Sequence, residues 1–514
     1  MKIVTINQMR QIEKEGFEAG ITYEEMIQTV GLKIADILER DYCQPGNAVL
    51  GLIGKGNNGN DCLAALTELS KRGQRTMAFL FANRSADDSY LTQYLAQGGT
   101  VESLVQDSAA QTLDKVLDDC AAVLDGVYGI GFHLPLDPAI KTIFGMINQR
   151  SRSVPLIALD CPSGMDCDSG KADGNCLKAD LTIYIEAIKI GQVKLPAYLN
   201  CGTLTGISLD LPKGLAVYSE IQRSILELKI MRETLPERSD TGHKGSFGAV
   251  TIIGGSENYI GAARMAGIAA FRSGCGFVNM IVPEIVRNLN AGGFSQAVWF
   301  PQDFSNPAGI EQCVADLQNC MERKGSFLIG PGLGQSWVLD NLLKQILQTH
   351  KSSIKPVIFD ADALNYLSRF PEWLTSLPDN TILTPHSGEM ARLCDVSIDE
   401  IEANRFKYAE EKAENWQVVV VLKGPLTIIA APTGESAVMP YASSALAKAG
   451  SGDMLAGLIA GFAAQGASPF DAACLGVWVH ANAARIAVER LGQTYSLMAD
   501  DLIEAISDAI REIC

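Results

Sequence analysis

Short apolar runs alternate with longer amphipathic stretches along most of this 514-residue chain. Two helical patterns come first, around Asn7–Ala19 and Tyr23–Asp41. The runs "AVLGLI" (Ala48–Ile53), "TMAFLFA" (Thr76–Ala82), "AVLDGV" (Ala122–Val127) and "VPLIALD" (Val154–Asp160) then read as buried strands separated by helices. That alternation predicts an α/β protein whose parallel sheet is wrapped by helices. Between Leu211 and Arg232 the pattern weakens, with Pro212 and Gly214 and a short mixed helix. It restarts at "FGAVTIIGG" (Phe247–Gly255), continues through Ala430, and closes in a helical region from Ser451 to Ile513. Two α/β domains are expected, 1–222 and 223–514. Neither contains an internal repeat or a low-complexity stretch.

Parallel sheets take ligands beyond the carboxyl ends of their strands, so the polar turns that follow strands are the places to search. In the first half there are three: "GKGNNGNDC" (Gly54–Cys62), "DGVYGIGF" (Asp125–Phe132) and "DCPSGMDCDSG" (Asp160–Gly170). In the first, Asn57 and Asn58 tolerate left-handed backbone and Asp61 is expected to open the next helix, whose free amides favour an anion. The third puts a carboxylate, Asp160, on a stiff Pro-Ser-Gly turn. One such turn is equally well read as ordinary capping; three at strand ends are not.

In the second half the strongest string is "KAGSGDMLAGLIAGFAAQG" (Lys448–Gly466). Gly450, Ser451 and Gly452 present successive amides, and Asp453 follows at the start of a helix. Amides and a helix N-terminus form an anion hole, and a carboxylate beside it can accept a proton from an attacking hydroxyl.

Residues 1–215 resemble the NAD(P)H-hydrate epimerase family, whose pattern is a GxGNNGGDG turn, an Asp with a glycine-rich loop, and D-x-P-S-G. The resemblance extends through "IEAIKIGQVKLPAYLNCGTL" (Ile185–Leu204). It implies a Rossmann-like three-layer sandwich, with Asn57, Asn58, Gly59, Asn60, Asp61, the loop Gly129, Ile130, Gly131, Phe132, His133, Leu134, Pro135, and Asp160 contacting NADHX or NADPHX. It further implies a potassium ion on Asn58, Asp125 and Ser163. Epimerisation remakes the bond at C6, and the chemistry of a carboxylate suits Asp160 to shuttle the proton. Asn60 stands where the family has glycine, and Cys62 is a second departure.

Residues 230–512 resemble the ADP-dependent NAD(P)H-hydrate dehydratases of the ribokinase-like superfamily, a three-layer α/β/α fold. The match rests on "AGSGD", "HKGSFGAVTIIGGSENYIGAARMAGIAAFRSGCGFV" (His243–Val278), "GPGLG" (Gly330–Gly334), "FDADALN" (Phe359–Asn365), "TPHSGEM" (Thr384–Met390) and "LKGPLTII" (Leu422–Ile429). By that resemblance the hydrate touches Ala262 or Ala263, Gly334, His386 and the catalytic Asp453. ADP, the phosphoryl donor, lies against Lys423, Gly424, Pro425, Leu426, Thr427 and Gly452, and Glu389 orders magnesium-bound water. A homo-oligomer is implied as well. Two alternatives stay open: a small-molecule kinase that stops at a phosphate ester, and a first half that binds nucleotide without turnover.

A formal net charge of −17 argues against nucleic-acid and anionic-membrane partners, which need clustered Lys and Arg. Thirteen cysteines without a CxxC pair, the nearest grouping being Cys161, Cys167 and Cys176, and five histidines give little basis for zinc. They are expected to be reduced thiols of a cytoplasmic protein. The N-terminus lacks the apolar core of a signal peptide, and "MLAGLIAGFAA" (Met454–Ala464) is too short to span a bilayer.

Overall fold

The computed structural model describes residues 1–43, 46–85, 87–103, 109–150, 154–350, 355–370 and 372–514. It divides into two compact units, Met1–Arg223 and Ser224–Cys514.

The first unit is built on a seven-stranded sheet: β1 (Ala48–Ile53), β2 (Thr76–Leu80), β3 (Thr100–Ser103), β4 (Cys120–Gly126), β5 (Leu156–Leu159), β6 (Leu181–Ile185) and β7 (Thr203–Ile207). The order is β3-β2-β1-β4-β5-β6-β7, with every pairing parallel. Chain order reverses direction between β1 and β4, and a ligand crevice belongs beyond the carboxyl ends of those two strands. Helices α1 (Ile6–Glu18) and α2 (Tyr23–Asp41) each begin on a capping box, Thr5 with Gln8 and Thr22 with Glu25. Helix α3 (Asn57–Lys71) leaves the end of β1 and packs closely on α2: a methyl group on Gly31 would come within 2.6 Å of the Ala64 Cβ. Residues Ile3–Val4 pair in parallel with Ile188–Lys189, which ties the start of α1 to the segment after β6.

The second unit has a ten-stranded sheet. Its strands are β8 (Arg223–Ile225), β9 (Ala249–Ile253), β10 (Phe277–Pro283), β11 (Val298–Gln302), β12 (Gly325–Ile329), β13 (Val357–Phe359), β14 (Thr381–Leu383), β15 (Val419–Leu422), β16 (Ile428–Ala430) and β17 (Ser436–Val438). The order is β8-β17-β16-β15-β14-β13-β12-β9-β10-β11, parallel from β15 to β11 and antiparallel across β15-β16-β17. The weakened stretch near the expected boundary therefore contains an edge strand, β8, as well as short helices.

Helix α4 (Ala262–Arg272) follows β9, and α5 (Ser387–Cys394) follows β14. The closing region is three helices, α6 (Ser451–Gln465), α7 (Pro469–Leu491) and α8 (Ala499–Ile513), broken at Gly466 and Gly492, both left-handed. Helix α6 is apolar on every face because it is buried on every face. Leu455, Leu458, Ile459 and Phe462 are in the core, each contributing roughly 1.5–3 kcal/mol of burial. Gly457 lets α4 approach: a methyl group there would lie 2.1 Å from the Ala266 carbonyl oxygen. This packing fixes the N-terminus of α6, where Asp453 sits.

Candidate functional site

The first unit holds a cavity of about 480 Å³ beyond the ends of β1, β4 and β5. Asn57, Asn58 and Asp61 of α3 line it, with the loop Gly129–His133 and Asp160. Gly59, Asn60, Leu134 and Pro135 are not among its lining residues.

The backbone of the first turn differs from expectation. Gly56, extended at φ −96 and ψ −171, is the N-cap, and α3 already begins at Asn57. Neither Asn57 nor Asn58 is left-handed, and Asp61 lies one turn inside the helix rather than at its start. An extended glycine delivers the chain into helical geometry without a left-handed step. The Asn57 and Asn58 amides, which have no intrahelical partners, are thus at the cavity, whereas those of Gly59 and Asn60 donate to the Gly56 carbonyl at 3.0 and 3.2 Å. Asn60 turns away from the cavity. Its side-chain oxygen accepts from the Arg84 guanidinium at 2.9 and 3.0 Å, and Arg84 also donates to the Gly54 carbonyl and pairs with Asp88 at 2.6 Å. Cys62 is fully buried over Gly51 and Gly126, where a methyl group on Gly126 would come 2.6 Å from the Cys62 Cβ. Both departures from the family pattern are thus fitted into backbone and core.

Asn58, Asp125 and Ser163 meet at one spot. Ser163 donates from its amide and hydroxyl to Asp125 at 2.7 and 2.6 Å, and the Val127 amide donates to Asp125 at 3.2 Å. The Asn58 amide donates to the Tyr128 carbonyl at 3.0 Å, leaving its Oδ1 as an acceptor. Burial raises the Asp125 carboxyl to about 6 against these hydrogen bonds. Among the described residues no basic side chain pairs with it.

Asp160 stands at φ 57, a left-handed position that costs an L-residue about 1–2 kcal/mol. The strain turns its Oδ1 to the Ile185 amide at 3.0 Å and to the Lys189 ammonium, with which it forms an ion pair. Lys189 is wholly buried, also donates to the Ile185 carbonyl at 2.9 Å, and lines the same cavity, as do Arg10 and Glu13 of α1. Burial opposes its charge but Asp160 outweighs it, so the Lys189 pKa is raised. Asp61 is pushed well above the ordinary carboxylate range by burial, then by Asp160 and Glu13, against Lys189. Glu13 is raised by burial and by Asp160. Lys189 and Glu13 were missed from sequence. Lys189 sits within "IEAIKIGQ", where a lysine in an apolar run was the available signal; nothing local marked Glu13.

In the second unit, Gly450 at φ 92 caps α6 and Asp453 occupies the first turn. The Ser451 hydroxyl donates to the Leu446 and Lys448 carbonyls at 2.8 and 2.9 Å, closing the preceding loop. Lys423, at the end of β15, reaches Asp360 at 2.6 Å and Glu389 at 3.8 Å. A methyl group on Gly452 would sit 3.7 Å from its ammonium, so the lysine flanks the α6 amides. Asp360 also accepts from the Thr384 hydroxyl at 2.8 Å. His386 caps α5, its Nδ1 accepting from the Gly388 and Glu389 amides at 3.0 and 3.3 Å, while the Glu389 carboxylate accepts from the His386 amide at 2.8 Å. An Nδ1 used as acceptor leaves the ring proton on Nε2.

Burial raises Asp453 to about 7, reinforced by Asp360 and opposed by Lys423. Glu389 rises to about 7, again by burial first. His386 is lowered by burial and by Lys423, so it is neutral at pH 7. Gly334, left-handed at φ 76, donates its amide to Asp362 at 2.8 Å. Ala263 is fully buried in the core, whereas Ala262 lies beside Gly332 of the "GPGLG" loop. In the 423–427 turn, Arg405 holds the Lys423 carbonyl at 3.2 Å and Gly424 and Pro425 are exposed. Leu426 faces the core. Asp360 and Asp362, in the "FDADALN" string, had been given no role of their own; a carboxylate directly after an apolar strand was the signal.

Residues 250–508 match the family model described as NAD(P)H-hydrate dehydratase, and residues 23–191 match that of the YjeF-related protein N-terminus. The chain is 33% identical to the bifunctional NAD(P)H-hydrate repair enzyme Nnr of Moorella thermoacetica, covering 100% of this chain and 97% of that protein. This protein belongs to the bifunctional NAD(P)H-hydrate repair enzyme family. A second member, from Coxiella burnetii, is 32% identical with 96% of each chain covered. A ribokinase-like superfamily protein from Enterococcus faecalis superposes on 57% of the chain and 97% of its own, with a TM-score of 0.50 and 24% identity, which shows the fold shared by the second unit. Among the described residues no helix is long and apolar enough to cross a membrane, and no three His, Cys, Asp or Glu side chains are grouped to hold a metal.

Proposed function

We propose that the second unit removes water from S-NAD(P)HX at the expense of ADP, and that the first interconverts the R and S epimers so that both are repaired. The observation that carries the dehydratase reading is Asp453 in the first turn of α6, flanked by Lys423.

Hydroxide is a poor leaving group, so the C6 hydroxyl of the hydrate is first made into a phosphate ester. Asp453, raised to about 7, accepts the hydroxyl proton as the oxygen attacks the β-phosphorus of ADP. The amides of Gly450, Gly452 and Asp453 and the Lys423 ammonium hold the charge on the moving phosphoryl group, the Ser451 amide being used on the Lys448 carbonyl. AMP departs, the ring nitrogen expels phosphate from C6, and loss of a proton from C5 restores the reduced ring. Neutral His386, whose Nε2 lies 3.5 Å from the Glu389 carboxylate, and the Gly334 turn orient the hydrate, with Ala262 at its edge. The 423–427 turn and Gly452 receive ADP. Asp360 and Glu389 form an all-oxygen donor set suited to a magnesium ion, which when bound would neutralise phosphate charge.

In the first unit the α3 amides receive phosphate of the hydrate, and the Gly129–Pro135 loop and Asp160 contact the rest. Asn58 Oδ1, Asp125, Ser163 and the Tyr128 carbonyl fit a potassium ion by donor chemistry, and the buried Asp125 lacks a counter-charge. Potassium would supply it and hold the 125–131 loop to α3.

Purified S epimer, ADP and magnesium should give equal amounts of reduced nicotinamide, AMP and phosphate. A stable phosphorylated nicotinamide without reduced cofactor would instead make the second unit a small-molecule kinase.

A further inference from the structure

The first cavity brings three carboxylates, Glu13, Asp61 and Asp160, to one wall. Their hydrogen bonding is unequal. Asp160 is held by the Ile185 amide and by Lys189, and the Lys189 ammonium is in turn used on Asp160 and the Ile185 carbonyl. Asp61 is 7% exposed, and among the described residues no donor pairs with its carboxyl. Glu13 is less buried and shares α1 with Arg10; burial and Asp160 raise its pKa, against Lys189 and Arg10. The one buried cation is therefore committed to Asp160, and the most buried unpaired carboxyl facing the cavity is Asp61.

An unpaired buried carboxyl is held most cheaply as the neutral acid, and a neutral acid is what epimerisation at C6 requires. We propose that Asp61 is the general acid of the epimerase, while the Asp160–Lys189 pair is its rigid positioning partner. Asp61 protonates the departing C6 oxygen as the C6–O bond breaks and the ring nitrogen forms a double bond to C6. Water adds to the opposite face, and the proton it releases returns through the carboxylate cluster to Asp61. One proton is lent and one regained, so no further reactant is needed. The charges facing Asp61 are Asp160 and Lys189 from the β5 and β6 ends, Glu13 and Arg10 from α1, Cys62 beside it on α3, and Tyr90, whose own pKa Asp61 helps to raise. The negative neighbours and burial outweigh Lys189, which keeps Asp61 protonated above the ordinary carboxylate range.

This inference rests on the epimerase reading, and the test separates the two. R–S interconversion is followed chromatographically on the full chain without ADP, so that the second unit does not drain S, and the spontaneous rate is subtracted. If the wild-type chain does not interconvert the epimers, the epimerase reading itself fails. If it does, Asp61→Asn should lose at least about 100-fold in rate, hold NADP+ (the binding probe) within about threefold, and leave ADP-dependent dehydration of S unchanged. The last readout also shows that the variant has folded. Wild-type rate should fall as pH rises through the Asp61 pKa, that limb should vanish from the residual rate of Asp61→Asn, and Asp61→Glu should restore part of the rate. An Asp61→Asn chain that keeps a third of the wild-type rate, keeps the alkaline limb, or loses rate and NADP+ binding together would overturn the assignment.

Discussion

The two sites solve one electrostatic problem with the same parts. Each places a lysine on a strand-end aspartate, wholly buried Lys189 on Asp160 and partly buried Lys423 on Asp360, and surrounds the pair with carboxyls whose pKa values are raised. In each, the lysine pairs most closely with the strand-end aspartate, while a second carboxyl, Asp61 or Asp453, stands outside that ion pair. They differ in what lies beside that second carboxyl. Asp453 opens α6, so a transferring phosphoryl group meets backbone amides and Lys423 together. Asp61 is one turn inside α3, away from the helix end, where proton exchange needs no anion hole. On the proposed mechanisms the same cluster would serve phosphoryl transfer in one unit and acid catalysis in the other, according to where the helix begins.

The largest expected effect lies at Asp453. Asp453→Ala should lower ADP-dependent dehydration by about 10³-fold or more, some 4 kcal/mol of barrier, while epimerisation stays at its wild-type rate; equal loss of both would dissolve the comparison. Lys423→Met comes next. It removes charge from the phosphoryl path and strands Asp360, so dehydration should drop by about 10²–10³-fold with a raised KM for ADP.

A third prediction concerns pH. On the proposed mechanism Asp453 is the base and must be deprotonated, so kcat/KM for dehydration should rise as pH passes about 7 and then level off. Epimerisation, served by an acid, should slope the other way. Profiles of the same sign in both units would break the contrast.

Much of this was legible in the sequence. Apolar runs marked β1, β2, β4, β5 and β9 because buried parallel strands are continuously hydrophobic. β3 and β7 escaped notice, since their "TVES" and "TLTGI" segments lie at sheet edges and are partly exposed. The Gly/Asn and Gly/Ser strings located the starts of α3 and α6. Lys189, Glu13 and Asp360 could not be ranked the same way, because their roles come from partners far along the chain, such as Ile3–Val4 pairing with Ile188–Lys189. The helical conformation of Asn57 and Asn58 was also hidden, since Gly56 alone accomplishes the turn in extended geometry.

Smaller effects sharpen the comparison further. The folded pKa of Asp453 lies above its unfolded value, so the folded state keeps a proton that the unfolded chain releases. Rising pH therefore destabilises the second unit until about 7, beyond which the cost is complete. Asp453→Asn should accordingly raise the apparent Tm of that unit by a few degrees at pH 8, roughly 2–4 °C, and by less at pH 5. Calorimetry reads this directly, and a larger gain at low pH would contradict the burial of that carboxyl. Smallest of all, Asn60→Gly should change epimerisation by less than about threefold, and cost about 1 kcal/mol or less through the lost Arg84 bond.

The central claim is that two separate crevices complete one repair. It is tested most directly by the reduced-nicotinamide absorbance formed from an equal mixture of R and S hydrates with the full chain, ADP, magnesium and potassium. The whole mixture should be converted. A reaction that halts when the S epimer is spent, leaving R to decay at its spontaneous rate, would contradict it.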